Sequence, residues 1–324
     1  MPAPRQLRFS AAFVLLLAAA GAIIFYATWI GYGGRTLTCA IIALAIFFAM
    51  ELFPAAQNIT QKIQRILPTP AAWLLAVPLF VAYAIYAAGT GSSSAWHWAI
   101  VAGYILFPLA LLSLRAGDAP AWSDYLALIA IALPVKLRWL AQLWPYPNGN
   151  LKYALTVLLA MNVAIAGFIF IRRLEGIGYS LNWSANQGFI ILAVIAIIAA
   201  VDIPGGMALK FLHWAPGHVP LKSLPAGIFG IFFFTAWPEE FVFRGLLQNM
   251  LSRTIKNENA GLVAASIIFG LSHIANGYFP NWRYALLATF AGLCYGFTWR
   301  KTGNIFAPAL VHTTVDVIWH MLFV

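Results

Sequence analysis

The chain has 324 residues, of which 62% are hydrophobic and only 9% are charged. An ordinary soluble domain has about a quarter of its residues charged, so this composition excludes a soluble globular protein and predicts one compact membrane unit. The formal charge of +10 does not indicate nucleic-acid binding, because the 19 lysines and arginines are spread in ones and twos between apolar runs.

Apolar runs of membrane-crossing length follow one another along the chain, separated by Gly, Pro, Asn or charged residues. They lie at residues 11–31, 38–57, 71–89, 96–114, 122–141, 153–171, 187–204, 226–249, 261–279, 283–299 and 304–322. The first follows two arginines like a signal peptide, but its length favours an uncleaved helix. Proline and two basic residues interrupt the run at 122–141. If this run does not cross the membrane, it bends into the membrane–water interface. The sequence predicts an all-α, polytopic membrane helix bundle with ten or eleven transmembrane helices.

Basic residues set the expected orientation. With the N-terminus in the cytoplasm and eleven spans, three tight basic pairs fall on the inner side: Arg172–Arg173, Arg253–Lys256 and Arg300–Lys301. Short loops and the absence of a sorting tail favour a bacterial cytoplasmic (inner) membrane. We expect two regions, an N-terminal helical region of unknown role at 1–186 and a functional core at 187–324, with an interfacial connector at 207–225.

Three of the nine acidic residues lie inside apolar segments of the last third of the chain: Glu239, Glu240 and Asp316. Ionisable side chains are costly within a membrane, so they face a protein interior or a water cavity and mark functional sites. Glu240 and Arg244 are four residues apart and would pair on one helix face. Glu239 is turned about 100° away. We therefore expect Glu240 to be committed to Arg244, and Glu239 to be free to take a proton from water.

Two histidines on later segments complete the cluster. His273 follows in Phe269-Gly-Leu-Ser-His273, and His312 lies four residues before Asp316, whose carboxylate can fix the tautomer of the imidazole and support its positive form. Three helices would then converge on a pocket that holds a base, an imidazole to orient water and a donor to a developing oxyanion.

Structural explanations stand beside this hypothesis. A lone membrane histidine is more often a packing residue than a catalyst, and the Glu240–Arg244 pair by itself fits helix adhesion as well as function. Gly292 and Gly296 indicate a close helix contact, and Asp202 is a weaker functional candidate. The remaining histidines are expected at the membrane interface: His97, His213, His218 and His320. The six clustered residues within 78 positions favour a site.

The order of the motifs resembles that of the CaaX-protease and bacteriocin-processing family of intramembrane endopeptidases. The motifs are Glu239-Glu240-x-x-x-Arg244, Phe269-x-x-x-His273 and His312-x-x-x-Asp316. Supporting segments are Asn276-Gly277, Gly292-x-x-x-Gly296, Thr302-Gly303-Asn304-Ile305 and Ala307-Pro308. The resemblance covers roughly residues 187–324.

This resemblance implies an activity and roles for the site residues. Glu239 and His273 would activate a water, His312 and the residue at 316 would stabilise the oxyanion, and Glu240 and Arg244 would be accessory or structural. Type II CaaX prenyl endopeptidases carry Asn where this chain has Asp316. Because a carboxylate is a poor oxyanion donor, we expect Asp316 to orient His312, and prenylated substrates are in particular doubt.

The leading hypothesis is a glutamic-type endopeptidase that cleaves a membrane-associated protein or peptide in the lipid bilayer, without a metal or cofactor. A zinc-dependent protease using the same Glu and His cluster is an alternative, although no H-E-x-x-H occurs. A transporter would also bury such residues, but matching helix interruptions in the two halves are not found. A non-proteolytic, partner-binding membrane protein is the remaining alternative.

Overall fold

The computed structural model describes residues 21, 33–114, 119–145, 151–181 and 184–324, without the side chains of 57 and 58. The first predicted helix, at 11–31, lies outside this part of the chain except for Gly21. Within the described residues the fold is all-α and contains no strand, only an isolated antiparallel bridge between Trp214 and Phe323. The predicted all-α class is confirmed.

Apart from the polar helix Gln57–Ile66, the helices follow the apolar runs, and we name them α1 to α11 in chain order. They are α1 Gly34–Ala55, α2 Gln57–Ile66, α3 Ala71–Thr90, α4 Ala95–Ser113, α5 Trp122–Lys136, α6 Leu151–Ile171, α7 Ala185–Ala208, α8 Leu221–Ile255, α9 Glu258–Ser272, α10 Trp282–Thr302 and α11 Phe306–Leu322. Short 3-10 turns open α3 and α8 and close α1, and a separate one spans Trp139–Leu143.

Six helices within the described ranges are long and apolar enough to cross a membrane, namely α1, α3, α4, α6, α7 and α8. Helix α9 is apolar but shorter. The chain is therefore an integral membrane protein, whereas the number of ten or eleven crossings stays a prediction.

Two predicted runs end earlier as helices than their hydropathy indicates. The run at 261–279 is helical only to Ser272, because Asn276, Gly277 and Pro280 favour a loop and Gly277 adopts a φ of +80°. The run at 122–141 leaves the helix after Lys136, where Arg138 adopts a left-handed φ of +58°. That bend agrees with the interruption expected in this run.

The chain divides into two compact units, Met1–Glu175 and Gly176–Val324, which we call the N-terminal and C-terminal units. The functional boundary predicted between residues 186 and 187 stays a prediction. In the N-terminal unit α6 is the central helix, because an apolar stretch of 18 of its residues is completely buried. Trp144, itself fully buried, packs edge-on against Phe47, Tyr83 and Tyr86.

A buried ion pair anchors the start of α5 to the end of α6. Arg172 Nε lies 2.9 Å from Asp124 Oδ1, and both side chains are almost fully buried. Asp124 also accepts a hydrogen bond from the Ala121 backbone N–H, and Arg172 donates to the Ala119 carbonyl. The sequence alone does not reveal this pair, because its members are 48 residues apart.

The C-terminal unit holds every residue of the predicted site. Its core joins α7, α9, α10 and α11 through Ile198, Phe269, Tyr295 and Val311. A Cβ added at Gly292 would press against Ser266 and Phe269 of α9, and one at Gly296 would meet Gln248 of α8. The expected close helix contact at this glycine pair is therefore confirmed.

We predict that Asp124→Asn destabilises the protein by about 3–5 kcal/mol, because it leaves the Arg172 charge buried without its anion. Thermal unfolding of the detergent-solubilised protein measures the change. Glu258→Gln is the matched control, since Glu258 is 76% exposed in its pair with Arg300 and should change stability by less than about 1 kcal/mol. Equal melting temperatures for both variants would contradict a stabilising role of the buried pair.

Candidate functional site

The first motif lies in the middle of α8, in a short α-helical segment between two π-helical ones. The flanking π segments are Phe232–Ala236 and Phe241–Gln248, and the α segment Trp237–Glu240 carries both glutamates. π-helical turns inside α-helices are rare and are frequent at functional sites. This backbone presents Glu240 to the interior of the unit and leaves Glu239 half-buried.

Glu240 and Arg244 form the predicted pair. Arg244 Nε lies 3.0 Å from Glu240 Oε2, and neither side chain is exposed. Arg244 Nε and Glu240 Oε2 are not aligned for a hydrogen bond, so the two side chains interact primarily as opposite charges. The guanidinium carbon also lies 4.7 Å from the centre of the Phe269 ring and 5.7 Å from that of Tyr295. The cation is thus compensated by one carboxylate and by aromatic faces.

Glu240 has a second partner that the sequence analysis missed. Its Oε1 atom lies 2.9 Å from His312 Nδ1, 72 residues along the chain and on α11. Because a carboxylate only accepts, His312 Nδ1 carries the proton of this hydrogen bond. The Glu240 carboxylate therefore links Arg244 on its own helix to His312 on α11. Because it engages Nδ1, Nε2 is the nitrogen of His312 that remains available to another partner.

The other side of His312 faces Asp316, as the spacing predicted. His312 Nε2 lies 3.6 Å from Asp316 Oδ2, which is too long for a hydrogen bond but within ion-pair range when the imidazole is protonated. Tyr295 stacks on the imidazole with 4.7 Å between ring centres and 17° between the planes. Glu240 and Tyr295 together hold the ring of His312, so Asp316 is not its only orienting neighbour.

His273 caps the C-terminal end of α9 instead of lying within a helix. Its Nδ1 atom lies 2.8 Å from the Phe269 carbonyl oxygen, which can only accept, so Nδ1 donates. In the neutral ring, Nε2 is then the unprotonated nitrogen, which can accept a hydrogen bond. Such an arrangement suits an imidazole that accepts a hydrogen bond from water.

Phe269 lies between the two histidines. Its ring centre is 4.8 Å from that of His273 and 5.9 Å from that of His312. Since Arg244 also lies over this ring, all three motifs meet at one aromatic side chain. The structure thereby brings Glu240, Arg244, His273, His312 and Asp316 together.

Glu239 belongs to the same neighbourhood through Tyr284. Both Glu239 and Asp316 lie within electrostatic range of the Tyr284 hydroxyl, and the ring of Tyr284 is 4.8 Å from that of His273. Glu239 is not without a partner, because it makes an interaction of its own. Its role as the base that takes a proton from water stays a prediction. Both Glu239 and Asp316 are half-buried, whereas Glu240 and Arg244 are sealed from solvent.

The other candidates are more dispersed. His320 stacks on Trp319, His218 contacts the Ala215 carbonyl, and His97 contacts that of Ser92 in the N-terminal unit. The backbone of His213 pairs with that of Val324. Among the described residues, no group of three or more His, Cys, Asp or Glu side chains is arranged to hold a metal ion.

Comparison with known proteins points to the same segment. Residues 221–318 match the family model described as type II CAAX prenyl endopeptidase Rce1-like, and this range contains every residue of the three motifs. The resemblance based on the motifs is therefore confirmed. Aligned over 139 residues, the chain is 27% identical to the uncharacterized protein YpbD of Bacillus subtilis (strain 168), and the alignment covers 40% of this chain and 63% of that protein. No solved structure matches the chain.

We predict that Glu240→Gln lowers the stability of the C-terminal unit by about 3–5 kcal/mol, because Arg244 then lacks its anion in a buried setting. The double variant Glu240→Gln with Arg244→Met removes the uncompensated cation and should recover much of the loss. Thermal unfolding and the yield of monodisperse protein in detergent report both changes. If the double variant is as unstable as the single one, the buried charge is not the cause.

Proposed function

We propose that this membrane protein is an intramembrane endopeptidase of glutamic type, which hydrolyses a peptide bond in a membrane-associated protein or peptide. The observation that carries the proposal is the meeting of three motifs at Phe269 within the segment similar to Rce1-like endopeptidases. Two imidazoles of fixed orientation and accessible carboxylates are the groups that water-based hydrolysis needs.

In the proposed reaction, Glu239 accepts a proton from a water that the Nε2 atom of His273 helps to orient. The oxygen of this water attacks the scissile carbonyl carbon, and the carbonyl becomes an oxyanion. His312, protonated also on Nε2, donates a hydrogen bond to that oxyanion. When the tetrahedral intermediate collapses, the C–N bond breaks and the proton held by Glu239 passes to the leaving amine. No covalent acyl-enzyme forms.

Glu240 and Arg244 act in this proposal as positioning residues. Glu240 holds His312 through Nδ1, so Nε2 is the nitrogen that remains available to the substrate. Asp316 would support the protonated form of His312 and limit the rotation of its ring. Because Asp316 replaces an Asn of the type II CaaX enzymes, we propose a membrane-associated substrate and leave prenylation as a property to be tested.

The proposed catalytic core is the region 187–324, preceded by an N-terminal helical region, 1–186, of unknown role. We propose that the site opens toward the cytoplasmic half of a bacterial inner membrane. This orientation follows from the basic residues Arg253, Lys256, Arg300 and Lys301, which lie at the ends of α8 and α10 and favour the cytoplasmic side.

Glu239→Gln should reduce peptide-bond cleavage by about a hundredfold or more, because the amide cannot take up the proton of the attacking water. Its thermal stability should remain near that of the unsubstituted protein, since Glu239 is half-buried and the amide keeps its size. Mass spectrometry of membrane-protein fragments, comparing cells that carry either form, measures the loss and identifies the substrates.

Glu240→Gln serves as the matched control for this experiment, because it changes the neighbouring carboxylate in the same way. We expect it to lose mainly folded protein. If Glu239→Gln unfolds the chain while Glu240→Gln folds well and abolishes cleavage, the two roles are reversed. If both variants cleave normally, the proteolytic function is wrong.

The reaction proposed here needs no metal, so cleavage should persist after dialysis of the purified protein against a strong chelator. Metal analysis of the active preparation should then find less than one equivalent of zinc per chain. A loss of activity that zinc alone restores would favour the zinc-dependent alternative, in which the same histidines serve as ligands.

A further inference from the structure

Tyr284 occupies a position that none of the three motifs includes. It lies in the first turn of α10, where its backbone N–H donates to the side chain of Asn281, the residue that caps the helix. Asn281 also donates from its amide to the Asn276 carbonyl. These bonds tie the loop that follows His273 to the start of α10, so Tyr284 has a defined position relative to the second motif.

Aromatic rings hold the phenol on three sides. Its ring centre lies 4.8 Å from that of His273, 5.1 Å from that of Trp319 and 5.2 Å from that of Phe211. Tyr284 is nevertheless only half-buried. A ring fixed in this way restricts the hydroxyl to a small region beside His273.

The hydroxyl lies among the polar groups of the proposed active site. The Asn276 side chain is within hydrogen-bonding reach of it, and both Glu239 and Asp316 are within electrostatic range. The hydroxyl therefore shares the electrostatic environment of Glu239 and Asp316. A phenol differs from those carboxylates in one respect, since it carries a proton that it can donate as a neutral group.

Oxyanion stabilisation normally uses more than one hydrogen-bond donor. In the site described above, His312 supplies one through Nε2, whereas the Asp316 carboxylate only accepts. Asp316 therefore adds no donor beside His312. A neutral donor from another helix would supply the second hydrogen bond.

We propose that Tyr284 is a further catalytic residue, whose hydroxyl donates a hydrogen bond to the oxyanion of the tetrahedral intermediate. This inference rests on the proposed peptidase function. The hydroxyl keeps its proton throughout, so the step strengthens one hydrogen bond as negative charge develops on the carbonyl oxygen. Tyr284 would act together with His312 and would replace the donor that Asp316 cannot provide.

The test uses Tyr284→Phe, which removes the hydroxyl and keeps the ring that packs on His273. Purified full-length variants are added to membranes from cells that produce the Glu239→Gln form, and new peptide N-termini are counted over time by mass spectrometry. We expect the initial rate per folded molecule to fall about a hundredfold, with an unchanged melting temperature. Tyr278→Phe is the matched control, because Tyr278 is 54% exposed, and it should cleave normally.

A second pair of variants separates donation to the substrate from support of Asn276. If Tyr284→Phe lowers the rate by the same factor in the presence and absence of Asn276→Ala, the hydroxyl acts independently and the proposal stands. If Asn276→Ala alone matches the loss and the double variant is no slower, the hydroxyl only positions Asn276, and the proposal is overturned.

The outcomes also distinguish this inference from the proposed function. Normal cleavage by Tyr284→Phe, with no cleavage by Glu239→Gln, overturns the role of Tyr284 and leaves the peptidase intact. If unsubstituted protein generates no more new N-termini than Glu239→Gln, the proposed function fails and the inference fails with it.

Discussion

The Glu240 carboxylate is the interaction on which the candidate site depends. It is fully buried, and its two oxygens contact different partners, Arg244 on its own helix and His312 on α11. A buried anion must be compensated by positive charge or hydrogen bonds, so α8 and α11 are restricted to an arrangement that satisfies both contacts. The orientation of His312 follows directly, because its Nδ1 atom is committed to Glu240 and its Nε2 atom is turned toward Asp316.

Burial separates the ionisable side chains of the site into two groups. Glu240 and Arg244 are sealed within the C-terminal unit, whereas Glu239 and Asp316 are half-buried. Sealed residues are held in one geometry by packing, and accessible ones can contact water or a substrate. Catalysis by preorganised groups requires this division, because donors must be in place before charge develops on the substrate.

Aromatic residues hold the polar groups in position without competing for their hydrogen bonds. Phe269 contacts both imidazoles and the Arg244 cation, and Tyr295 stacks on His312. Such close packing needs helices that approach one another, and Gly292 and Gly296 permit it, since a side chain at either position would press on α9 or α8. The two glycines of α10 therefore allow the close helix packing in which the aromatic residues hold the polar groups of the site.

Composition determined the membrane class, since 62% hydrophobic residues cannot be hidden in a soluble core, and apolar runs of membrane-crossing length determined that it is all-α. Helical periodicity also determined the two contacts between residues four apart, Glu240 with Arg244 and His312 with Asp316, because backbone geometry sets that spacing. Only the tertiary structure decided that Glu240 reaches His312 across 72 residues, that Tyr295 stacks on that ring, and that α9 ends before His273. These features depend on how helices rotate and pack against each other, and on where the backbone N–H and C=O groups of a loop find hydrogen-bond partners. Hydropathy along a single helix carries no information about either.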